Sequence, residues 1–160
     1  MMHRERIPKR QPSQEAPQRS VRLIGWKEYV GLPDWGISRL KAKIDTGART
    51  SALDVVGYEL RHDDARGWIA LLHLLLDRRH PERLTAVEAP ILRMVAVRHP
   101  NGFVEQRPLI ETTMTLGPLT KRVRLTLTSR AKMRFRMILG RSALADDFVV
   151  DVSRQYLLKR

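Results

Sequence analysis

The stretch from Leu40 to Leu53 constrains this chain most. Leu40, Ala42 and Ile44 alternate with Arg39, Lys41 and Lys43, the period-two pattern of a half-buried strand. That strand runs without a linker into Asp45-Thr46-Gly47-Ala48. A carboxylate, a small hydroxyl and a glycine in consecutive positions form a turn that can present one carboxylate at the end of a sheet. In isolation, an Asp before Thr-Gly is an Asx-turn residue, so the rest of the chain has to decide between a capping role and a chemical one.

The chain has 160 residues, the length of one domain that can bury a core without disulfides or metal. It contains no cysteine, which excludes disulfide scaffolds, Cys-ligated zinc and thiol nucleophiles and fits a reducing compartment. No apolar run approaches the roughly 20 residues that cross a bilayer. The basic N-terminus lacks the apolar core of a secretory signal. The expected location is therefore cytoplasmic, with no membrane association. The formal charge is +13, and from Lys121 to Arg141 there are eight basic residues and no acidic one. Such a field attracts polyanions, either nucleic acid or an acidic polypeptide.

Residues 1–20 are rich in Pro, Gln, Arg and Ser with almost nothing apolar. They are expected to form a flexible basic tail. Residues 21–160 are expected to form the folded domain. Strands are expected at Val21–Trp26, Leu40–Ile44, Asp54–Leu60, Trp68–Leu76, Ile91–Arg98 and Phe103–Thr115, with others around Val123–Thr128, Met133–Met137 and Gln155–Leu158. Asn101-Gly102 between two extended runs predicts a hairpin with a type I′ turn, which needs φ > 0 at both positions. Only Arg141–Asp147 reads as a short helix. Many short strands at regular spacing with one late helix predict an all-β, barrel-like fold.

Two further features set the order of the chain. Ile138-Leu139-Gly140-Arg141 precedes the short helix, and the long hairpin with Asn101-Gly102 at its tip lies between it and Asp45. This order resembles a retropepsin-like aspartic protease: catalytic turn, flap hairpin, then an apolar-apolar-Gly segment threading beneath the catalytic loop. Ile24-Gly25-Trp26-Lys27-Glu28, Lys41 to Leu53, Glu88-Ala89-Pro90, Met133 to Arg141 and Phe148-Val149-Val150-Asp151 are similar to one bacterial family within that fold. That family is labelled as ATP-dependent zinc proteases. Its members often accompany ligases that add glutamates to a small-subunit ribosomal protein.

The resemblance implies a closed retropepsin-like barrel with catalytic Asp45, Thr46 and Gly47. It implies substrate contacts from Ala48, Arg49, Asn101 and Gly102, and support of the site by Leu139, Gly140 and Arg141. Two carboxylates sharing one proton can activate water and protonate a peptide carbonyl together. The chain carries one Asp-Thr-Gly, so a C2 homodimer would bring both Asp45 side chains to the axis. The implied substrate is an acidic, glutamate-rich peptide or ribosomal-protein tail, with ribosome association as a further expectation. The family usually has serines before the Asn-Gly, where His99-Pro100 stand here.

No metal and no cofactor is expected from the residues. His3, His62, His73, His80 and His99 show no His-Glu-x-x-His and have no Cys partner. No Gly-rich phosphate loop with Lys-Ser/Thr occurs, and Ser51, Ser129 and Ser142 lack a glycine-flanked elbow. Two other readings remain open: a basic β-barrel that binds RNA or the ribosome, and a catalytically inactive dimer that binds peptides.

Overall fold

A computed structural model describes residues 20–129 and 134–158. Residues 1–19, all but the last residue of the expected tail over 1–20, and the basic residues Arg130 and Lys132 lie outside them. Among the described residues, eleven strands and one short helix follow in chain order: β1 Arg22–Gly25, β2 Lys27–Leu32, β3 Ile37–Ile44, β4 Ser51–Asp54, β5 Gly57–Asp63, β6 Gly67–Leu74, β7 Thr85–Arg98, β8 Val104–Leu116, β9 Leu119–Thr128, β10 Met137–Leu139, α1 Arg141–Leu144 and β11 Phe148–Asp151. A 3₁₀ turn at Pro33–Trp35 joins β2 to β3. Among the described residues no helix is long and apolar enough to cross a membrane.

The large sheet runs β2-β3-β10-β4-β9-β8-β7-β6-β5, and β2 also bridges β8 at Gly31 and Thr115. The bridge closes the strands from β2 to β8 into a ring, the retropepsin-like all-β architecture expected from sequence. Gly31 permits that closure, because a Cβ there would collide with the Thr115 hydroxyl. Inward residues of the alternating strands fill the ring: Leu40, Ala42 and Ile44 from β3, Leu125 and Leu127 from β9, Met114 and Leu116 from β8. β7 and β8 extend beyond the ring as a long hairpin, and β5 and β6 continue the sheet from its base.

Several expected elements change on folding. The strand expected at 54–60 breaks at Val55 and Val56, whose amides turn aside to Thr128 O (2.8 Å) and His73 O (2.8 Å). The strand expected around 133–137 begins only at Met137. Phe135 instead packs edge-on against Trp26, and Met133 lies outside the described residues. The helix expected over 141–147 ends at Leu144, since Ala145 leaves the helical region with ψ 140°, and Asp146 then adopts the left-handed φ 70°, which a helix cannot continue through. At the hairpin tip, Gly102 has φ 85° while Asn101 is not in the left-handed region. The amide of Gly102 donates to His99 O (2.9 Å) and that of His99 to Phe103 O (2.8 Å). This is a three-residue loop rather than a type I′ turn: Pro100 presets an ordinary turn and Gly102 supplies the left-handed residue.

The C-terminal segment is held by a device that the strand expectation at 155–158 missed. Tyr156 has φ 52°, which interrupts any extended run. Its amide still reaches Lys27 O (2.9 Å), but the next two amides go to a side chain. Glu28 Oε1 accepts from Leu157 (2.8 Å) and from Gly25 (2.8 Å), and Oε2 accepts from Leu158 (3.3 Å). The Glu28 side chain is fully buried, so these amides neutralise a carboxylate that would otherwise be costly to bury. We expect Glu28→Ala to lower unfolding free energy by about 3 kcal/mol, since three donors are orphaned at once. Urea denaturation reads the loss. A change below about 1 kcal/mol would mean that the segment is anchored elsewhere.

Candidate active site

Asp45 follows directly on the last residue of β3, and its loop is fastened to β10 and α1 from beneath. β10 lies between β3, to which it is parallel, and β4, to which it is antiparallel. The Asp45 amide donates to Leu139 O (2.9 Å). The Arg141 amide donates to Ala48 O (2.8 Å) and that of Ser142 to Arg49 O (3.0 Å). The Arg141 guanidinium donates to Thr46 O (2.9 Å). Leu139 and Arg141 thus both hydrogen-bond to the loop.

Gly140 passes so close that a side chain cannot be placed on it. A Cβ there would lie 2.8 Å from Thr50 O and 2.9 Å from Ala48 O, both backbone atoms. Its amide donates to the hydroxyl of Ser51 (3.0 Å), which is fully buried. Ser51 is a supporting residue that the sequence reading passed over. Its position at the start of an apolar strand, where a small hydroxyl has to find a partner, was the available signal.

Within the loop, the Gly47 amide donates to Asp45 Oδ1 (3.0 Å). A Cβ on Gly47 would stand 3.2 Å from that oxygen, so the glycine leaves room for the carboxylate itself. The amide of Ala48 donates to Asp45 O (3.2 Å). Asp45 is half-buried, and Thr46, Gly47 and Arg49 are exposed. The turn is an Asx turn, and it also holds one carboxylate oxygen in a fixed place. The two readings of Asp45 are therefore compatible.

A family model described as retropepsin-like aspartic endopeptidase RimB matches residues 23–160. The chain belongs to this RimB-like family. It is 32% identical over 139 residues to a protein of Desulfotalea psychrophila named probable alpha-L-glutamate ligase, covering 86% of this chain and 29% of that relative. A protein of the same name from Parasynechococcus marenigrum is 35% identical over 131 residues, 81% of this chain and 28% of the relative. The chain thus spans less than a third of the length of these curated relatives. A crystal structure of a Legionella pneumophila protein of unknown function superposes with a TM-score of 0.73 at 22% identity, over 88% of this chain and 100% of that one. It shares the fold.

In this family member the carboxylate faces a cavity of about 460 Å³ between its loop and the β7–β8 hairpin. Asp45, Ala48 and Arg49 line one side, and β7 contributes Arg93, Val95 and Arg98 on the other. Asn101 and Gly102 are exposed at the hairpin tip and lie outside that lining. Arg107 of β8 also lines the cavity and is tied by Nε to Glu105 (2.9 Å). Burial works to raise the Glu105 pKa, but its bonds to Arg107 and His99 outweigh that and hold the carboxyl below its usual range. Asp45 is the one carboxylate in the cavity lining. Among the described residues no three His, Cys, Asp or Glu side chains converge to hold a metal ion.

The Lys121–Arg141 run forms less of a free cationic field than its sequence implied. Arg122 and Arg124 meet Glu111 (3.2 and 3.3 Å), and Arg122 also meets Asp34 (3.0 Å). Lys121 pairs with Asp147 and Arg136 with the buried Asp54. The arginines that line the cavity lie elsewhere, on β7 and β8 and in the Asp45 loop. Their spacing along the hairpin was visible, but which strand face meets the loop depends on a register shift between Ile91 and Arg93.

We expect Gly140→Ala to destabilise the protein by about 1–3 kcal/mol, since the clash is with backbone that cannot rotate away. Ser51→Ala should cost about 1–2 kcal/mol through the orphaned Gly140 amide. Thermal unfolding reads both. An unchanged midpoint for Gly140→Ala would show that β10 does not thread tightly beneath the loop.

Proposed function

We infer that this chain is an aspartic endopeptidase that completes its site as a C2 homodimer. The observation that carries this reading is a single carboxylate, Asp45, held in a rigid loop against a cleft lined by no second one. The RimB-like family match supports the reaction class. An isologous dimer doubles any residue placed near its axis, so one Asp45 per chain becomes a pair.

Such a pair shares one proton, because two carboxylates about 3 Å apart cannot both ionise. The ionised Asp45 takes a proton from water as the water oxygen attacks the scissile carbonyl carbon. The protonated carboxyl, the partner's Asp45, gives its proton to the carbonyl oxygen, producing a tetrahedral diol. Asp45, now protonated, gives a proton to the amide nitrogen while the other carboxylate takes one back from a diol hydroxyl, so the C–N bond breaks to a carboxylic acid and an amine and the carboxylates end with one proton between them. Gly47 N–H keeps one Asp45 oxygen in place, and Arg141 braces the loop through Thr46 O.

The substrate we favour is an acidic, glutamate-rich peptide such as a ribosomal-protein tail, met in the cytoplasm. Arg49, Arg93 and Arg98, exposed around the cavity, supply cations that Glu side chains can engage as charge-assisted pairs. The glutamate-ligase names of the curated relatives point toward the same chemistry.

Asp45→Asn should lower kcat on a glutamate-tailed peptide by about 10²–10⁴ or more without loss of folding. Mixing it with wild type at increasing ratios should inhibit beyond simple dilution, since mixed dimers carry one carboxylate. Full activity of Asp45→Asn, or a species that is monomeric and active by sedimentation, sinks the shared site. Arg93→Ala with Arg98→Ala should raise KM for the acidic peptide by about tenfold, at roughly 1 kcal/mol or less per exposed pair, and leave a neutral peptide unaffected. Equal effects on both peptides would remove the arginines from substrate selection.

A further inference from the structure

A second basic surface lies on the outward face of β2 and β3. Here Lys27 stands directly opposite Lys43, and Tyr29 opposite Lys41, in the antiparallel ladder. Residues directly opposed across such a pair share a face, and like charges there repel. Two irregular segments bring more cations to the same place, Arg79 from the loop after β6 and Arg134 from the segment before β10. The groove they enclose has a volume of about 460 Å³ and shares no lining residue with the Asp45 cavity. One carboxylate, Asp77, lines it, and that side chain accepts the Arg79 amide (2.9 Å). Among the described residues, none of Lys27, Arg39, Lys41, Arg79 and Arg134 meets a carboxylate at ion-pair distance, in contrast to Arg122, Arg124 and Arg136.

Two of the three aromatic residues that line the groove, Tyr29 and Tyr156, are already covered, and the third, Phe135, packs edge-on against Trp26. Tyr29 and Tyr156 stack on each other with centroids 4.5 Å apart. Arg39 lies 3.7 Å over the Tyr29 ring, and Lys27 lies 5.2 Å from the Tyr156 ring centroid. The stack presents cations rather than open ring faces, so it orders charge and offers no platform for a base. The ligand this favours is a repeated anion recognised through its charge.

We propose that this groove docks nucleic acid through its phosphate backbone, without base readout. An extended acidic peptide turns alternate carboxylates away from any one face, whereas the groove gathers cations from four chain segments over a broad patch. Rows of phosphates meet such a patch more fully, and guanidinium groups match them with two-pronged hydrogen bonds. The patch is independent of Asp45, so docking and peptide cleavage are separate properties of one chain.

The test compares the 160-residue chain with the triple variant Lys41→Glu, Arg79→Glu, Arg134→Glu and its milder counterpart with Gln at the same positions. Fluorescence anisotropy is read with a labelled RNA hairpin, a DNA duplex and a glutamate-rich peptide, from low to high salt. Wild type should bind RNA or DNA with affinity that falls steeply with salt. The Gln variant should lose on the order of tenfold in affinity, and the salt slope should shrink by about one per removed phosphate contact. Thermal unfolding confirms that both variants fold. Asp45→Asn should bind nucleic acid as wild type does, so a failed protease reading leaves this result intact. Unchanged nucleic-acid affinity in the folded Gln variant overturns the proposal, as does patch-dependent binding of the acidic peptide alone.

Discussion

The passage of β10 beneath the Asp45 loop is the constraint on which the rest of this structure depends. Three consecutive residues perform it, each with a different part. Leu139 offers a carbonyl to the Asp45 amide, Gly140 offers an absent side chain, and Arg141 offers both its amide and its guanidinium. A loop held from below in this way cannot change the direction of its carboxylate without breaking several bonds together. The short length of β10 follows from the same geometry. It has three residues because it needs only to span the gap between β3 and β4 before the chain turns into α1.

The buried Glu28 does for the termini what β10 does for the loop. A carboxylate can accept from several amides at once and from directions that a strand partner cannot offer. The chain therefore docks its last described residues without extending the ladder, and Tyr156 is free to take a left-handed backbone conformation and stack on Tyr29. The cost of burying this charge is offset locally by the three amides, which makes the arrangement sensitive to the loss of any partner. β1 pairs in parallel with β11, so the two ends of the domain are joined twice, once by a ladder and once by a side chain.

Much of this was legible in the sequence, for a physical reason. Alternation along β3 and β9, glycine at the turns, and Asp-Thr-Gly after an apolar strand are local signals, and the local structure obeys them. Gly140 was readable through its family pattern, and its clash with Thr50 and Ala48 supplies the cause. What remained hidden depends on partners distant in the chain. Arg122 and Arg124 read as free cations because Glu111 meets them from the neighbouring strand β8 and Asp34 meets Arg122 from the distant turn between β2 and β3. Ser51 read as an ordinary serine because its partner, the Gly140 amide, lies 89 positions away. The Asn101-Gly102 signal was right about a hairpin and wrong about its turn, since Pro100 shifts the left-handed position onto the glycine alone.

One strand connects the two surfaces to which function has been assigned. The inward residues of β3, Leu40, Ala42 and Ile44, carry the core, and its outward residues, Arg39, Lys41 and Lys43, are exposed. Asp45 follows the last residue of the strand and belongs to the turn that β10 and α1 hold, so the turn, not strand alternation, directs its carboxylate. The cavity lined by Asp45 and the groove over Lys41 share no lining residue. The basic excess of the chain is divided by strand and by pairing. Part of it is neutralised across β8 and β9, part lines the cleft from β7, and the part on β2 and β3 meets no carboxylate at ion-pair distance among the described residues. A charge sum taken from composition alone cannot make that division, because it depends on which residues the register sets face to face.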